Sequence, residues 1–241
     1  MDCNLHPATF PFPGKWIGGV SIILGPIFLF VGVILRFKFN FFFPDQLEAF
    51  ESSSILMTIS YSLFLAGNIL LSLGIITLTN LIYKHSPTIA IWGGIFTVFG
   101  LFARTFHAGI DHLAFQIVNI KNVAVATNIV AESYGAFHIV STLNGAIMLG
   151  WIILATGAYR ANVLNIFQVT CLALMSSLPL GVLKGTTVFS IIATLGLCIA
   201  VIPLGIKILK SGPQPSVRKI IAWVVFVPIL VVVFFVFGRL G

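Results

Sequence analysis

The chain has 241 residues, 59% of them hydrophobic and only 8% charged, with a formal net charge of +7 and a mean hydropathy of +1.11. So few charges exclude a water-soluble domain, whose surface alone needs about a quarter of its positions charged. The Lys and Arg residues stand singly between apolar runs, so the positive charge marks the loops of a membrane protein rather than a nucleic-acid interface.

The N-terminal stretch carries Pro7, Pro11 and Pro13 and no small-residue cleavage pattern after the apolar run, so the first segment reads as a retained anchor. Residues 16–35 form the first expected span, with Gly25-Pro26 inside it. A proline is tolerable there where neighbouring groups satisfy the freed carbonyl. In RFKFNFFFP, Arg36 and Lys38 alternate with Phe37, Phe39 and Phe41, the pattern of a basic and aromatic interfacial belt. Asp45 followed by Glu48 resembles a capping pair and predicts a short surface helix over 46–50.

The second span is expected over 54–83, and Ser86-Pro87 reads as the N-cap and first-turn proline of the third, 88–119. A short loop around Lys121 leads to the fourth, 123–158. At 1.5 Å per residue, each of these two helices would run roughly 50 Å against a hydrocarbon core of about 30 Å. They are expected to form a long central hairpin that tilts or projects. Spans over 162–180, 187–209 and 220–237 complete the chain, with Gly212-Pro213 stopping the sixth. The fold expected is an all-α membrane protein, a bundle of about seven transmembrane helices in one integral membrane domain, 1–241.

Seven crossings place the termini on opposite sides. One side collects Lys15, Lys84, Arg160, Lys207, Lys210, Arg218 and Lys219; the other has Arg36, Lys38, Lys121, Lys184 and Arg239. The bias favours a cytoplasmic N-terminus and an outward C-terminus. Cys3, Cys171 and Cys198 have no paired spacing and read as small apolar residues.

The stretch RTFHAGIDHLAF carries the chemistry. On a helix turning about 100° per residue, Arg104, His107 and Asp111 fall within about 60° of one another, while His112 starts a neighbouring stripe. The fourth helix brings Glu132, Tyr134 and His138. Folding the hairpin about Lys121 sets Asp111 and His112 level with Glu132, and His107 close to His138. The preceding hairpin sets Asn68 level with Arg104. Each Arg, Asp or Glu at mid-membrane costs roughly 2.5–3.5 kcal/mol, so such a cluster is a functional candidate by default. Interhelical hydrogen bonding alone is the plainer explanation.

The first functional expectation is a membrane-embedded enzyme acting on a lipophilic or amphiphilic substrate. His107, Asp111, His112 and Glu132 would be its catalytic groups, and Arg104, Asn68 and Tyr134 its substrate contacts, with Arg104 on an anionic head. His107, Asp111, His112, Glu132 and His138 also suit one zinc or iron ion, although no HExxH or paired ExxH motif is present. The second expectation is a small transporter, immunity or sensor protein using the same residues for protons or a solute. A haem between His107 and His138 fits less well, because packed helices stand only about 8–10 Å apart. The partners expected are the lipid bilayer and a lipophilic or anionic small molecule, with no nucleic acid.

Overall fold

Helices account for most of the residues that the computed structural model describes, namely 11–133, 138–212 and 214–240. The helices are α1 Lys15–Leu35, α2 Phe43–Ser52, α3 Ser54–Tyr83, α4 Pro87–Ile120, α5 Val123–Ser133, α6 Leu143–Arg160, α7 Ile166–Ala173, α8 Val188–Lys210 and α9 Val217–Leu240. Among the described residues, six helical segments are long and apolar enough to cross a membrane, so the protein is an all-α, multi-pass membrane bundle. The chain divides into two units: residues up to Leu209 hold α1 to α8, and the residues from Lys210 onward hold α9. No residue over Val217–Arg239 of α9 is buried, and the strongly apolar character of this segment suits a surface facing lipid.

In the first unit α1 and α3 lie backbone to backbone. A Cβ on Gly67 would stand 2.7 Å from the Leu29 nitrogen, and one on Gly32 would stand 2.7 Å from the Ser60 carbonyl oxygen. Such approach is what small residues contribute between membrane helices, where apolar burial by itself supplies no preference for protein over lipid. Ser60 Oγ adds a hydrogen bond to the Gly32 carbonyl at 2.6 Å. Gly93 and Gly150 bring α4 and α6 together in the same way.

Helix α4 runs unbroken for 34 residues, as its pattern predicts, and Ser86 is its N-cap with Pro87 following, though the Ser86 side chain makes no capping bond. Its far end is covered rather than bare: Leu47 and Phe50 of α2, Phe115 and Val118 of α4, and Ala126 and Val130 of α5 form one apolar cluster. The Phe50 and Phe115 rings stack with centroids 4.4 Å apart. Helix α2 is therefore longer and more buried than the surface helix expected over 46–50. It opens at an N-cap Phe42 with no side-chain capping bond, so Asp45 and Glu48 are not its capping pair.

Two expected helices are interrupted. The fourth, expected unbroken over 123–158, is not continuous: α5 is described as far as Ser133, residues 134–137 lie outside the described residues, His138 is extended (φ −143°, ψ 156°), and a 3₁₀ turn Ile139–Thr142 leads into α6. The fifth, expected over 162–180, begins with a capping box in which Asn165 and Gln168 satisfy each other's backbone. It stays helical only through Ser177. Residues 178–187 then continue without helix to α8. Gln168 Nε2 donates to the Ala200 carbonyl, and the Thr186 hydroxyl donates to the Val33 carbonyl near the end of α1. The fifth passage along the bundle is thus half helix and half unwound strap. Its breakers, Pro179 and Gly181, lie in the middle of the passage rather than at its close.

Candidate functional site

Irregular backbone at membrane depth survives only where its polar groups are satisfied by protein or face a wet cavity. The strap 178–187 meets that requirement through the charged residues of the neighbouring helices. Arg104 donates from Nη2 to the Leu178 carbonyl and from Nη1 to the Pro179 carbonyl, both at 3.0 Å. Asp111 accepts the Leu183 N–H at 2.5 Å. Leu183 itself has φ +50°, a left-handed conformation uncommon for a bulky side chain. The Gly185 N–H reaches the Phe41 carbonyl at 2.9 Å, and Arg36 Nε donates to Thr186 Oγ1 at 3.3 Å.

The face expected on α4 is the one found. Arg104, His107 and Asp111 are 6–7% exposed, and Thr97 one heptad earlier is fully buried. His112, on the neighbouring stripe, is exposed, and so is Glu132. Asn68 is buried, but its Nδ2 turns back to the Phe64 carbonyl of its own helix at 2.7 Å. His138 lies where the hairpin arithmetic puts it: its ring centroid is 4.7 Å from that of Phe106, next to His107. Tyr134 lies outside the described residues.

The proposed metal set does not assemble. Among the described residues no three His, Cys, Asp or Glu side chains come close enough to hold an ion. The reason is visible in the placement: Asp111 faces the strap, whereas His112 and Glu132 face outward.

Arg36 is the residue that the sequence pattern misplaced. It turns inward, 5% exposed, with its guanidinium carbon 4.5 Å from the Tyr61 ring centroid and 4.7 Å from that of Phe64. Arg104 approaches the same Phe64 ring at 6.0 Å. One signal could have found it: Leu29, Val33 and Arg36 follow the four-then-three spacing of a buried helix face, and both apolar members are fully buried. Neither arginine has a carboxylate within salt-bridge or hydrogen-bond range among the described contacts. Arg36 Nη1 and Arg104 Nε are both buried without any acceptor.

Two spaces meet here. A cavity of about 30 Å³ is lined by Arg36, Tyr61, Arg104, His107, Asp111 and the strap. A larger crevice, of about 590 Å³ on the same measure, is mostly apolar and is lined by α4, α5, the start of α6 and the strap. His107, Leu180 and Gly181 line both, so the boundary between polar cavity and apolar crevice is one imidazole and two strap residues. Comparison with protein-family models, with curated proteins and with solved structures finds no match to this chain.

Proposed function

We propose that this bundle is an intramembrane binding protein for an amphiphilic anion, with the head against Arg36 and Arg104 and the chain in the crevice beyond His107. One observation carries the reading: two buried guanidiniums each keep an N–H without an acceptor at one cavity. An unmatched buried donor costs roughly 1–3 kcal/mol, more when charged, so an acceptor brought by a ligand would recover a substantial free energy. The crevice falls within the roughly 300–1,000 Å³ typical of ligand pockets and has their mostly apolar lining. Unwound strap and interrupted fourth helix also suit a solute site, because carriers build such sites from discontinuous helices.

A second reading, an enzyme acting on the same ligand, is favoured by the place of His107 at the junction, where an imidazole could exchange a proton with the head-proximal part of the chain. The experiment for both is to purify the protein in nanodiscs and identify co-purifying amphiphiles by mass spectrometry. Enrichment of an anionic amphiphile, lost in Arg36→Gln, supports the binding reading. Recovery of that amphiphile unchanged after incubation with excess protein supports carriage, and a mass change abolished in His107→Ala supports the enzyme. No enrichment over bulk lipid rejects both.

A further inference from the structure

We infer that the crevice is a lateral portal, through which a bilayer lipid with an anionic head reaches the arginine cavity without passing through water. This rests on the binding reading above and adds the source of the ligand and its route. Depth is the first observation. Helix α1 has 21 residues and rises about 30 Å, the thickness of a hydrocarbon core, so its C-cap Arg36 marks one boundary of that core. The Arg36 guanidinium lies 4.5 Å from the Tyr61 ring centroid, and the Phe115 ring meets the same Tyr61 ring at 5.0 Å. Phe115 of α4 therefore stands level with the end of α1, and Val130 of α5 packs in the same cluster as Phe115. Leu113 and Ile117 on α4, with Ile129 and Val130 on α5, line the crevice around that level. The crevice thus lies where headgroups give way to acyl chains.

The lining changes along the crevice in a matching order. Leu113 is 60% exposed and Ile129 44%, one on each helix, whereas Ala114 and Val130 beside them are buried. Exposed apolar lips cost free energy against water and none against acyl chains. Beyond the buried wall come His107, Leu180 and Gly181, the residues shared with the cavity. Gly181 has φ +121° and presents only backbone at that junction. The cavity itself is lined by Arg36, Arg104 and Lys184 against one acid, Asp111. Apolar lips, a buried apolar wall and a cationic end fit an amphiphile whose anionic head moves inward while its chain trails toward the bilayer. Because the lips face lipid, a second chain can stay in the leaflet, so two-chain lipids are admitted.

The test uses the full wild-type chain in nanodiscs and two photolabels, phosphatidate and phosphatidylcholine, each with a diazirine midway along one chain. Neither lipid leaves the bilayer during illumination, so an adduct in the crevice reports lateral entry. Adducts are mapped by mass spectrometry. Phosphatidate is expected to give about fivefold more adduct at Leu113, Ile117, Ile129 and Val130 than phosphatidylcholine, the preference that one basic residue confers on an anionic lipid. Both lipids should label residues 224–234 of α9 alike. Excess hexadecanoate, a single-chain anionic amphiphile, is expected to suppress the crevice adducts and spare those on α9. A labelled α9 with an unlabelled crevice overturns the portal and leaves the binding reading to the co-purification experiment, which needs no lateral route. Crevice adducts equal for the two lipids and unmoved by hexadecanoate keep the portal but overturn the anion-binding reading.

Discussion

Asp111 on α4 accepts the backbone N–H of Leu183, 72 residues further along the chain, in a buried bond. This bond holds a left-handed, fully buried leucine in the unwound strap. Asp111→Ala leaves that N–H without an acceptor, and a loss of about 1–3 kcal/mol is expected. Asp111→Asn keeps an acceptor oxygen and should lose less than half as much. Unfolding of both variants in mixed micelles checks the order; equal losses would contradict it.

Arg104 secures the other end of the strap through two carbonyls. Arg104→Met removes both donors while keeping a flexible apolar stem. Hydrogen exchange over residues 178–187 should accelerate by about ten- to a hundredfold, as expected for the loss of one to two charge-assisted bonds. The α8 amides that follow should keep their protection, because their bonds lie within the helix. Uniform acceleration along α8 would mean that the strap is not an independent opening unit.

The α4–α6 contact depends on Gly100. A Cβ there would overlap the Ile147 side chain, with both elements already packed closely. Gly100→Ala should cost about 1–3 kcal/mol, the range for overpacking. Gly109 lies on the same helix with open space around its missing Cβ. Gly109→Ala is expected to be neutral or to stabilise by up to about 1 kcal/mol through helix propensity. Thermal unfolding of the pair in one detergent tests the contrast.

Ile117 lines the crevice without being part of the arginine cavity. Ile117→Trp should fill crevice volume and weaken hexadecanoate by about tenfold or more, while leaving the bundle folded. Titration of hexadecanoate against acetate separates chain from head: acetate, which has no chain to displace, should bind the wild type and the variant alike. An unchanged hexadecanoate affinity would place the chain elsewhere.

The stripe Arg104, His107, Asp111 could be read from spacing because one regular helix carries all three, and helical geometry converts sequence separation into angle. His138 beside Phe106 and His107 followed from folding one hairpin at Lys121. Arg36 resisted the same reading because Phe37, Lys38 and Phe39 around it imitate an interfacial belt, and its direction depends on how α1 rotates against α3. Pro179 and Gly181 are helix breakers by residue type, but a sequence does not say whether a break ends a passage or lies inside it.

Composition by itself determined that this chain lies in a membrane as helices, because hydrocarbon leaves an isolated backbone no other way to satisfy its hydrogen bonds. The spacing of Arg104, His107 and Asp111 also determined which face of α4 turns inward. Only the tertiary structure decided what that face does there. Arg104 and Asp111 meet the carbonyls and N–H of a strap more than seventy residues away, instead of each other or Glu132. Charge placement along a helix is local and periodic, whereas the partner of a charge is chosen by whichever unsatisfied backbone the packing of the other helices brings beside it.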